Sequence, residues 1–214
     1  KHAADIGHEV VLWGRRAEQA EAINSKHENT QYLPGIPLPP NLRASASLKE
    51  TLENAELVLS VVPSHTKREV WKEAGAYLPK GVPVMSASKG IENETLDLMS
   101  DVLHEVLPDV PLAFLAGPSF AKEVALHAPT AVVLASKDRE LAKGLQKEIS
   151  SDWLRTYVSD DVVGLDPRRA RSAGRVPHHG VGLARHVGGR RRQPAVGRAG
   201  RPLPAAVDDR DHRR

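Results

Sequence analysis

Cationic and small residues follow several apolar runs of the chain, at the points where those runs end. Arg15 and Arg16 follow the first run, Lys89 follows a later one, and a turn that contains Gly117 and Ser119 follows the next. If each run is a strand of one parallel sheet, these residues lie at its carboxyl edge, where α/β folds bind their ligands. Lysine and arginine pair with phosphates, and glycine lets a ligand approach the backbone closely. The pattern predicts a site for a phosphate-bearing ligand.

The two arginines bear on the kind of ligand. In a dinucleotide-binding fold, an acidic residue after the second strand favours the free 2′-hydroxyl of NAD, whereas arginine accommodates the 2′-phosphate of NADP. Arg15 and Arg16 therefore favour NADP over NAD. Simpler interpretations stay open: two solvated charges before a helix, an exposed loop lysine at Lys89, and a plain turn with an N-cap at Ser119.

Short apolar strands alternate with amphipathic helices over residues 1–164. Strands are predicted at 9–13, 42–44, 56–62, 82–86, 112–116, 130–136 and 154–158. Helices are predicted at 17–26, 47–53, 64–77, 95–107 and 138–150, with Ser47 and Glu50 as a capping box and Ser64 as an N-cap. Continuously apolar strands that are each followed by a helix indicate a parallel sheet covered on both faces. The fold class is thus α/β, with a doubly wound, mostly parallel sheet of the Rossmann type.

Composition excludes several classes of protein. The chain has no cysteine, so disulfides and cysteine-based metal sites are excluded, and we expect no metal. No apolar run approaches the ~20 residues that span a bilayer. The first residues show no apolar core of a signal peptide. We expect a soluble, cytoplasmic protein with no membrane span.

The last 50 residues differ from the rest in charge and composition. Residues 1–164 carry 17 Lys and Arg against 23 Asp and Glu, a net charge of −6, whereas residues 165–214 carry 13 Arg against 4 Asp, a net charge of +9. The segment 165–214 lacks Lys, Ile and all aromatic residues and has no helix or strand period. This composition predicts that the segment is a disordered basic tail. It is either an Arg-rich arm that binds nucleic acid or, as we favour, a GC-rich reading frame translated out of register.

Six segments in order resemble the bacterial glycerol-3-phosphate dehydrogenases that use NAD or NADP. They are Gly-His-Glu-Val-Val-Leu-Trp-Gly-Arg at 7–15, Tyr-Leu-Pro-Gly at 32–35, Val-Val-Pro-Ser-His at 61–65, Ser-Lys-Gly at 88–90, Ala-Gly-Pro-Ser-Phe-Ala-Lys-Glu at 116–123 and Thr-Tyr-Val-Ser-Asp-Asp-Val-Val-Gly at 156–164. The resemblance covers residues 1–164, a little under half of a typical member. A different dehydrogenase of the same architecture, such as a ketopantoate reductase, is not expected to carry the 117–123 stretch.

The resemblance implies a role for each candidate residue. Arg15, with Arg16 beside it, would contact the adenosine end of the cofactor, and Ala121 would lie against the cofactor. Lys89 would touch both cofactor and substrate, while Gly117 and Ser119 would hold the substrate. The implied reaction reduces dihydroxyacetone phosphate to sn-glycerol 3-phosphate by hydride transfer from the nicotinamide, for glycerophospholipid synthesis. Members of the family are often homodimers.

The chain departs from the family pattern at two places. The family opens with a strand and a Gly-x-Gly-x-x-Gly loop that cradles the pyrophosphate, and neither precedes the helix in which this sequence starts. After Gly164, Leu-Asp-Pro-Arg-Arg stands where the family has a Leu-Gly-Gly-Ala-Leu-Lys-Asn-like segment, whose lysine is the general acid/base. No catalytic residue is therefore assigned. We expect a sheet that lacks its first strand, with unpaired neighbours, and an inactive, poorly stable fragment without the helical substrate domain.

Overall fold

A computed structural model describes residues 1–164 and the strand Leu183–Val187, and strands and helices alternate along the first part as the sequence predicts. The helices are α1 (His2–Asp5), α2 (Ala17–Lys26), α3 (Leu48–Leu52), α4 (Lys67–Ala74), α5 (Met99–Val106), α6 (Ala121–Ala125) and α7 (Arg139–Ile149). The strands are β1 (Glu9–Trp13), β2 (Leu42–Ser45), β3 (Leu57–Ser60), β4 (Val84–Ser86), β5 (Leu112–Ala116), β6 (Thr130–Ala135), β7 (Leu154–Ser159) and β8 (Leu183–Val187).

All eight strands form one sheet in the order β2-β1-β8-β3-β4-β5-β6-β7. The pairs β1–β2, β3–β4, β4–β5 and β6–β7 are parallel, whereas β6 runs antiparallel to β5. A mostly parallel sheet with crossover helices is confirmed. It brings the carboxyl ends of β1, β3, β4 and β5 to one edge, which we call the carboxyl edge.

Within residues 165–214, for which the sequence predicts a disordered tail, the structure describes the strand Leu183–Val187. This segment forms β8 and runs antiparallel to both of its neighbours, β1 and β3. The expected unpaired neighbours are therefore also not observed, because β8 supplies pairing to the facing sides of both strands. The other residues of the basic tail lie outside the described part of the chain.

The core lies on both faces of the sheet, as parallel strands require. On one face, Val58 of β3 packs with Trp71 of α4 and Leu103 of α5, and all three are fully buried. On the other face, the fully buried Leu134 packs with Leu145 of α7. No helix in the described ranges is long and apolar enough to cross a membrane.

Several helix starts differ from the prediction because the residues at the predicted starts make other contacts. The helix predicted at 95–107 begins only at Met99, since Thr95 instead donates a hydrogen bond to Glu92. Ser64 caps no helix and lies in a 3₁₀ turn before α4. Ser47 does accept from the backbone N–H of Glu50 at 3.2 Å, which confirms half of the capping box.

The other hydrogen bond of the predicted capping box, from the backbone N–H of Ser47 to the carboxylate of Glu50, is wrong. The backbone N–H of Ser47 donates to the hydroxyl of Ser45, and the carboxylate of Glu50 accepts from that same hydroxyl at 2.6 Å and pairs with Arg43. The end of β2, rather than the N-cap itself, thus holds the Glu50 side chain.

Candidate functional site

The carboxyl edge carries the candidate residues on different strands. Lys89 follows β4 and the turn 117–119 follows β5, and these strands are adjacent. Arg15 follows β1, which lies three strand spacings from β4 in the sheet order, or roughly 14 Å. The edge therefore has a compact site at β4–β5 and a separate cationic position at β1. This separation suits an extended ligand that places one end at the β4–β5 site and an anionic group at the β1 position.

Lys89 and Ser119 converge on one backbone oxygen. The ammonium of Lys89 donates to the carbonyl oxygen of Gly117 at 3.4 Å, and the hydroxyl of Ser119 donates to the same oxygen at 3.5 Å. Both contacts are long, and both side chains are partly exposed. The two donors can therefore turn to a ligand without breaking a strong internal bond. The structure brings together three of the predicted site residues here.

Gly117 is required by the packing of its backbone against β6. A Cβ at this position would lie 2.9 Å from the carbonyl oxygen of Ala131 and 3.0 Å from the Cα of Val132. The φ angle of 155° is also one that side chains with a Cβ rarely adopt. The turn that carries Ser119 is thus fixed by contact with the neighbouring strand.

The loop after β4 is tied to the turn after β3. The hydroxyl of Ser88 donates to the carbonyl oxygen of Val62 at 2.6 Å. Gly90, with a φ of 105°, packs so closely that an added Cβ would lie 3.2 Å from Ser64 Oγ. Ser64 therefore packs against the lysine loop, whereas His65 is exposed. The Val-Pro-Ser turn fixes the loop from which Lys89 extends.

The two arginines after β1 differ in their contacts. The guanidinium of Arg16 donates to the side-chain oxygen of Gln31, in the loop after α2. Arg15 is exposed and makes no hydrogen bond or ion pair with any described residue. Arg15 is thus available to an anion at the carboxyl edge, while Arg16 is engaged beside it.

Ala121 follows Ser119 by two residues in the chain. It is the exposed first residue of α6, which begins after Phe120 rather than at Pro118 or Ser119. The simpler interpretation of Ser119 as an N-cap is therefore wrong, because Phe120 holds that position. The backbone N–H of Ser119 is instead used in the turn itself, where it donates to the carbonyl oxygen of Gly117 at 2.9 Å.

Sequence reasoning missed a clamp on the Lys89 loop, which consists of Arg68, Glu92 and Glu105. The guanidinium of Arg68 donates two hydrogen bonds to Glu92, at 2.8 and 2.9 Å, and pairs with Glu105 at 2.7 Å. These bonds, followed by one from Thr95, lower the pKa of Glu92 to about 2. Arg68 and Glu92 are 24 residues apart, so no local pattern in the sequence relates them.

A second missed residue is Lys67, which is fully buried on the inner face of α4. Its ammonium lies 2.5 Å from the hydroxyl of Ser86, and burial lowers its pKa to about 7. Helical spacing does relate it to the core, because positions 67, 71 and 74 share one face and Trp71 and Ala74 are buried there. A lysine on that apolar face is an indication that the sequence itself contains.

A family model and several known proteins similar to this chain indicate one family. A family described as the N-terminus of NAD-dependent glycerol-3-phosphate dehydrogenase matches residues 1–142. An NAD(P)+ glycerol-3-phosphate dehydrogenase of Myxococcus xanthus is 48% identical over 160 residues, which cover 73% of this chain and 48% of that protein. Its counterpart of Leptospira biflexa is 42% identical over 166 residues, covering 76% of this chain and 50% of that protein.

A solved structure shows the same relationship. The crystal structure of glycerol-3-phosphate dehydrogenase from Coxiella burnetii superposes with a TM-score of 0.72 at 32% identity, covering 76% of this chain and 50% of that one. The chain thus spans about half the length of the relatives it matches. The family match extends over well more than half of the chain and includes the turns that hold Lys89 and Ser119. The chain belongs to the family of NAD-dependent glycerol-3-phosphate dehydrogenases, of which it carries the N-terminal part.

Proposed function

We propose that this chain is the cofactor-binding part of an enzyme that reduces dihydroxyacetone phosphate to sn-glycerol 3-phosphate, a precursor of glycerophospholipids. The observation that carries the proposal is the convergence of Lys89 and Ser119 on the carbonyl of Gly117 at the carboxyl edge. A bound NADPH or NADH supplies the hydride. The proposal extends to a cytoplasmic location and a homodimeric assembly, as the resemblance implies.

The residues of the site fit a nicotinamide dinucleotide at two positions. Arg15, exposed and without a described partner, holds a phosphate at the adenosine end, with Arg16 beside it. Lys89 is close enough to β5 to pair with both the cofactor and a substrate phosphate. Gly117 and Ser119 hold the substrate at the turn, and Ala121 contacts the cofactor from the start of α6. Arginine beside the ribose favours NADPH over NADH.

The segment after Gly164 bears on turnover. Leu165-Asp-Pro-Arg-Arg stands in place of the family segment with the proton-transferring lysine. A missing general acid/base removes a factor of roughly 10²–10⁴ in rate. We propose that residues 165–214 are out-of-frame sequence in place of a helical substrate domain and that this chain does not turn over substrate. A one-base shift near codon 165 that restores a Gly-Gly-Ala-Leu-Lys-Asn-like frame would support this origin.

The proposed site is tested by titrating the chain with NADPH and with NADH while nicotinamide fluorescence is recorded. We expect the Lys89→Met variant to bind NADPH about tenfold or more weakly, because a hydrogen bond to a charged group contributes about 1.5–3 kcal/mol. Added glycerol 3-phosphate should strengthen NADPH binding in the parent chain and not in the variant. Absorbance at 340 nm with dihydroxyacetone phosphate should show no turnover.

Lys80→Met is the matched control, since Lys80 is an exposed lysine that precedes β4 at the opposite edge of the sheet. It should bind NADPH as the parent chain does. Equal weakening by both substitutions, or none by Lys89→Met, would contradict the assignment of the site. Clear turnover would contradict the assignment of an inactive fragment and leave the site in place.

A further inference from the structure

The start of α4 holds a buried lysine to which the surrounding protein offers no negative charge. Lys67 is the first residue of the helix, and its amine donates to the hydroxyl of Ser86 at 2.5 Å. No carboxylate pairs with this amine in the described part of the chain. Arg68, the next residue, is by contrast paired with Glu92 and Glu105. Since buried charges are normally paired, Lys67 either stays neutral or receives its anion from a ligand.

Two features of the position favour the neutral amine. Burial lowers the pKa of Lys67 to about 7, and the partial positive charge at the N-terminus of a helix disfavours a further positive charge there. No side chain caps this end of α4. Near neutral pH the amine is therefore close to the midpoint of its titration, where a negative charge brought nearby changes its protonation.

Neighbouring titratable groups do not set the state of this amine. Strands β3 and β4, which pack under α4, carry none. The elements that pack against the helix carry Lys49 and Glu50 in α3, Asp101, His104 and Glu105 in α5, and His65 and Tyr77 in the flanking turns. The helix itself also carries Arg68, Glu69, Lys72 and Glu73, and the loop after β4 carries Lys89 and Glu92. None of these groups is a cause of the lowered pKa of Lys67, which comes from burial.

The buried amine lies close to the residues that are proposed to contact the cofactor. Ser86, its partner, is the last residue of β4 and lines a cavity of about 50 Å³ at the carboxyl edge, together with Ser88 and Gly90. Lys89 follows Ser86 by three residues, so their Cα atoms are at most roughly 10 Å apart. An anionic group beside Lys89 therefore acts on the amine of Lys67 through protein of low dielectric rather than through bulk water.

The hydroxyl of Ser86 connects the charge of the amine to this cavity. A neutral amine has a lone pair that can accept the hydroxyl proton, whereas an ammonium has three donors and no acceptor. Once Lys67 is protonated, the hydroxyl of Ser86 can only accept from it and directs its own proton elsewhere. The cavity that Ser86 lines offers that proton a ligand oxygen. A ligand at this edge and a proton on Lys67 thus stabilise each other.

We propose that Lys67 is a proton-linked residue of the cofactor site, neutral while the carboxyl edge is empty and protonated when the anionic dinucleotide binds there. It touches no ligand and acts through its charge and through Ser86. This inference rests on the proposed function for the identity of the ligand. One negative charge at about 10 Å, with an effective dielectric constant of about 20, raises the pKa of a lysine by about one unit. Binding should therefore be about tenfold tighter at about pH 6.5 than at about pH 9.

The first test is a titration of the full chain with NADH, which has no group that titrates near neutral pH, followed by nicotinamide fluorescence at several pH values. The parent chain should show the tenfold change. Lys67→Met should lose it and bind as the parent chain does at about pH 9, where both side chains are neutral. Lys72→Met, at an exposed position of the same helix, should keep the change. A substitution that only disturbs packing would instead weaken binding equally at every pH.

Calorimetry of the same reaction in HEPES and in Tris counts the protons that binding takes up. At about pH 7.5 we expect the parent chain to take up about half a proton per NADH more than Lys67→Met does. Release of protons by the parent chain, or equal uptake by the two chains, overturns the proposal. Lys67→Leu replaces Lys67→Met if circular dichroism shows that the methionine variant is unfolded.

A measurement on Lys67 itself separates this inference from the proposed function. With ¹³C at the lysine ε-carbons, the resonance that is absent from the variant reports the titration of Lys67, and saturating NADH should raise its midpoint by about one pH unit. An unchanged midpoint in the NADH complex overturns the proposal. If NADH does not bind, the dehydrogenase site is wrong, and sulfate, compared with chloride at equal ionic strength, becomes the probe. A midpoint raised by sulfate then supports Lys67 as a proton-linked residue of an anion site, and an unchanged one overturns it.

Discussion

Burial decides the charge of Lys67, which shares the inner face of α4 with Trp71. The amine has one hydroxyl beside it, from Ser86, although an ammonium can donate three hydrogen bonds. Desolvation therefore lowers the pKa of Lys67 to about 7. The side chain packs as an apolar stem with a neutral end in the upper range of physiological pH.

We expect Lys67→Met to raise the free energy of unfolding at pH 7 by about 1–3 kcal/mol. Carrying a lysine whose pKa falls from 10.5 to about 7 costs roughly 4–5 kcal/mol near neutral pH. The substitution also leaves the hydroxyl of Ser86 without its partner, which lowers the free energy of unfolding by about 1–3 kcal/mol and offsets part of this effect. Urea denaturation measures the difference. Lys72→Met is the control, since Lys72 is exposed on the same helix and should leave stability unchanged.

The same residue predicts how stability varies with pH. Between about pH 7 and 10.5 the unfolded chain holds a proton on Lys67 that the folded chain has lost, so stability rises with pH in that window. Below pH 7 both states hold the proton, and this dependence ends. The Lys67→Met variant should lack the rise. A rise of equal size in parent and variant would assign it to other groups.

Arg15 should determine how the chain discriminates between the two nicotinamide cofactors. We expect Arg15→Met to weaken NADPH binding about tenfold and NADH binding by less than half that factor, because only NADPH has a 2′-phosphate for the guanidinium. Parallel titrations with the two cofactors give the ratio. Arg155→Met, at an exposed position on β7, is the control. Equal weakening for both cofactors would assign Arg15 to a part that they share.

At the scale of elements, the loop between β4 and α5 is ordered by charge rather than by apolar packing. Arg68 of α4 reaches Glu92 in the loop and Glu105 in α5. A one-residue bridge between Ile91 and Leu98 closes the loop on itself. The loop that carries Lys89 is therefore held in place by these ion pairs and by its own bridge.

Glu92→Gln should loosen this loop and leave the sheet intact. We expect faster amide hydrogen exchange at residues 87–97 than in β3 or β5, because the neutral amide loses the charge-assisted pair with Arg68. Glu94→Gln, at an exposed position of the same loop, should change nothing. Exchange that rises equally throughout the sheet would mean that the clamp stabilises the whole fold and not the loop.

The parent chain should show the same loosening in acid. The pKa of Glu92 lies below its value in the unfolded chain, at about 2, so the clamp contributes stability above about pH 4.5. That contribution is lost as the pH falls from about 4.5 towards 2. In the Glu92→Gln variant, exchange in the loop should be insensitive to this change of pH.

Strand positions could be predicted from the sequence, because runs such as 112–116 and 130–136 are continuously apolar and bounded by turns. The start of α2 at Ala17 was also predicted. The start of α5 at Met99 was not, because residues before this helix serve the clamp. Contacts such as Arg68 with Glu92 depend on tertiary packing, which no local pattern contains. The convergence of Lys89 and Ser119 was foreseeable only because parallel strands end at one edge.

At the scale of the whole molecule, opposite net charges on the two parts of the chain should make nucleic-acid binding weak and nonspecific. Residues 165–214 carry +9, and residues 1–164 carry −6. We expect a gel shift with any DNA duplex at low salt that is lost by about 0.2 M salt, since phosphate contacts release counterions. A chain that ends at residue 164 should give no shift. Discrimination between duplex sequences would instead favour the Arg-rich arm as a dedicated nucleic-acid binder.

The position of β8 predicts that the halves of the sheet depend on the tail for stability. A chain that ends at residue 164 leaves the facing sides of β1 and β3 unpaired, and each buried group without a partner costs about 1–3 kcal/mol. Because native stability is about 5–15 kcal/mol, a net loss of several kcal/mol should lower the melting temperature by roughly 10 °C or more. A chain that ends at residue 190 keeps β8 and should melt as the full chain does. Equal melting of the two truncated chains would mean that the sheet closes without β8, and β1 would then have to pair directly with β3.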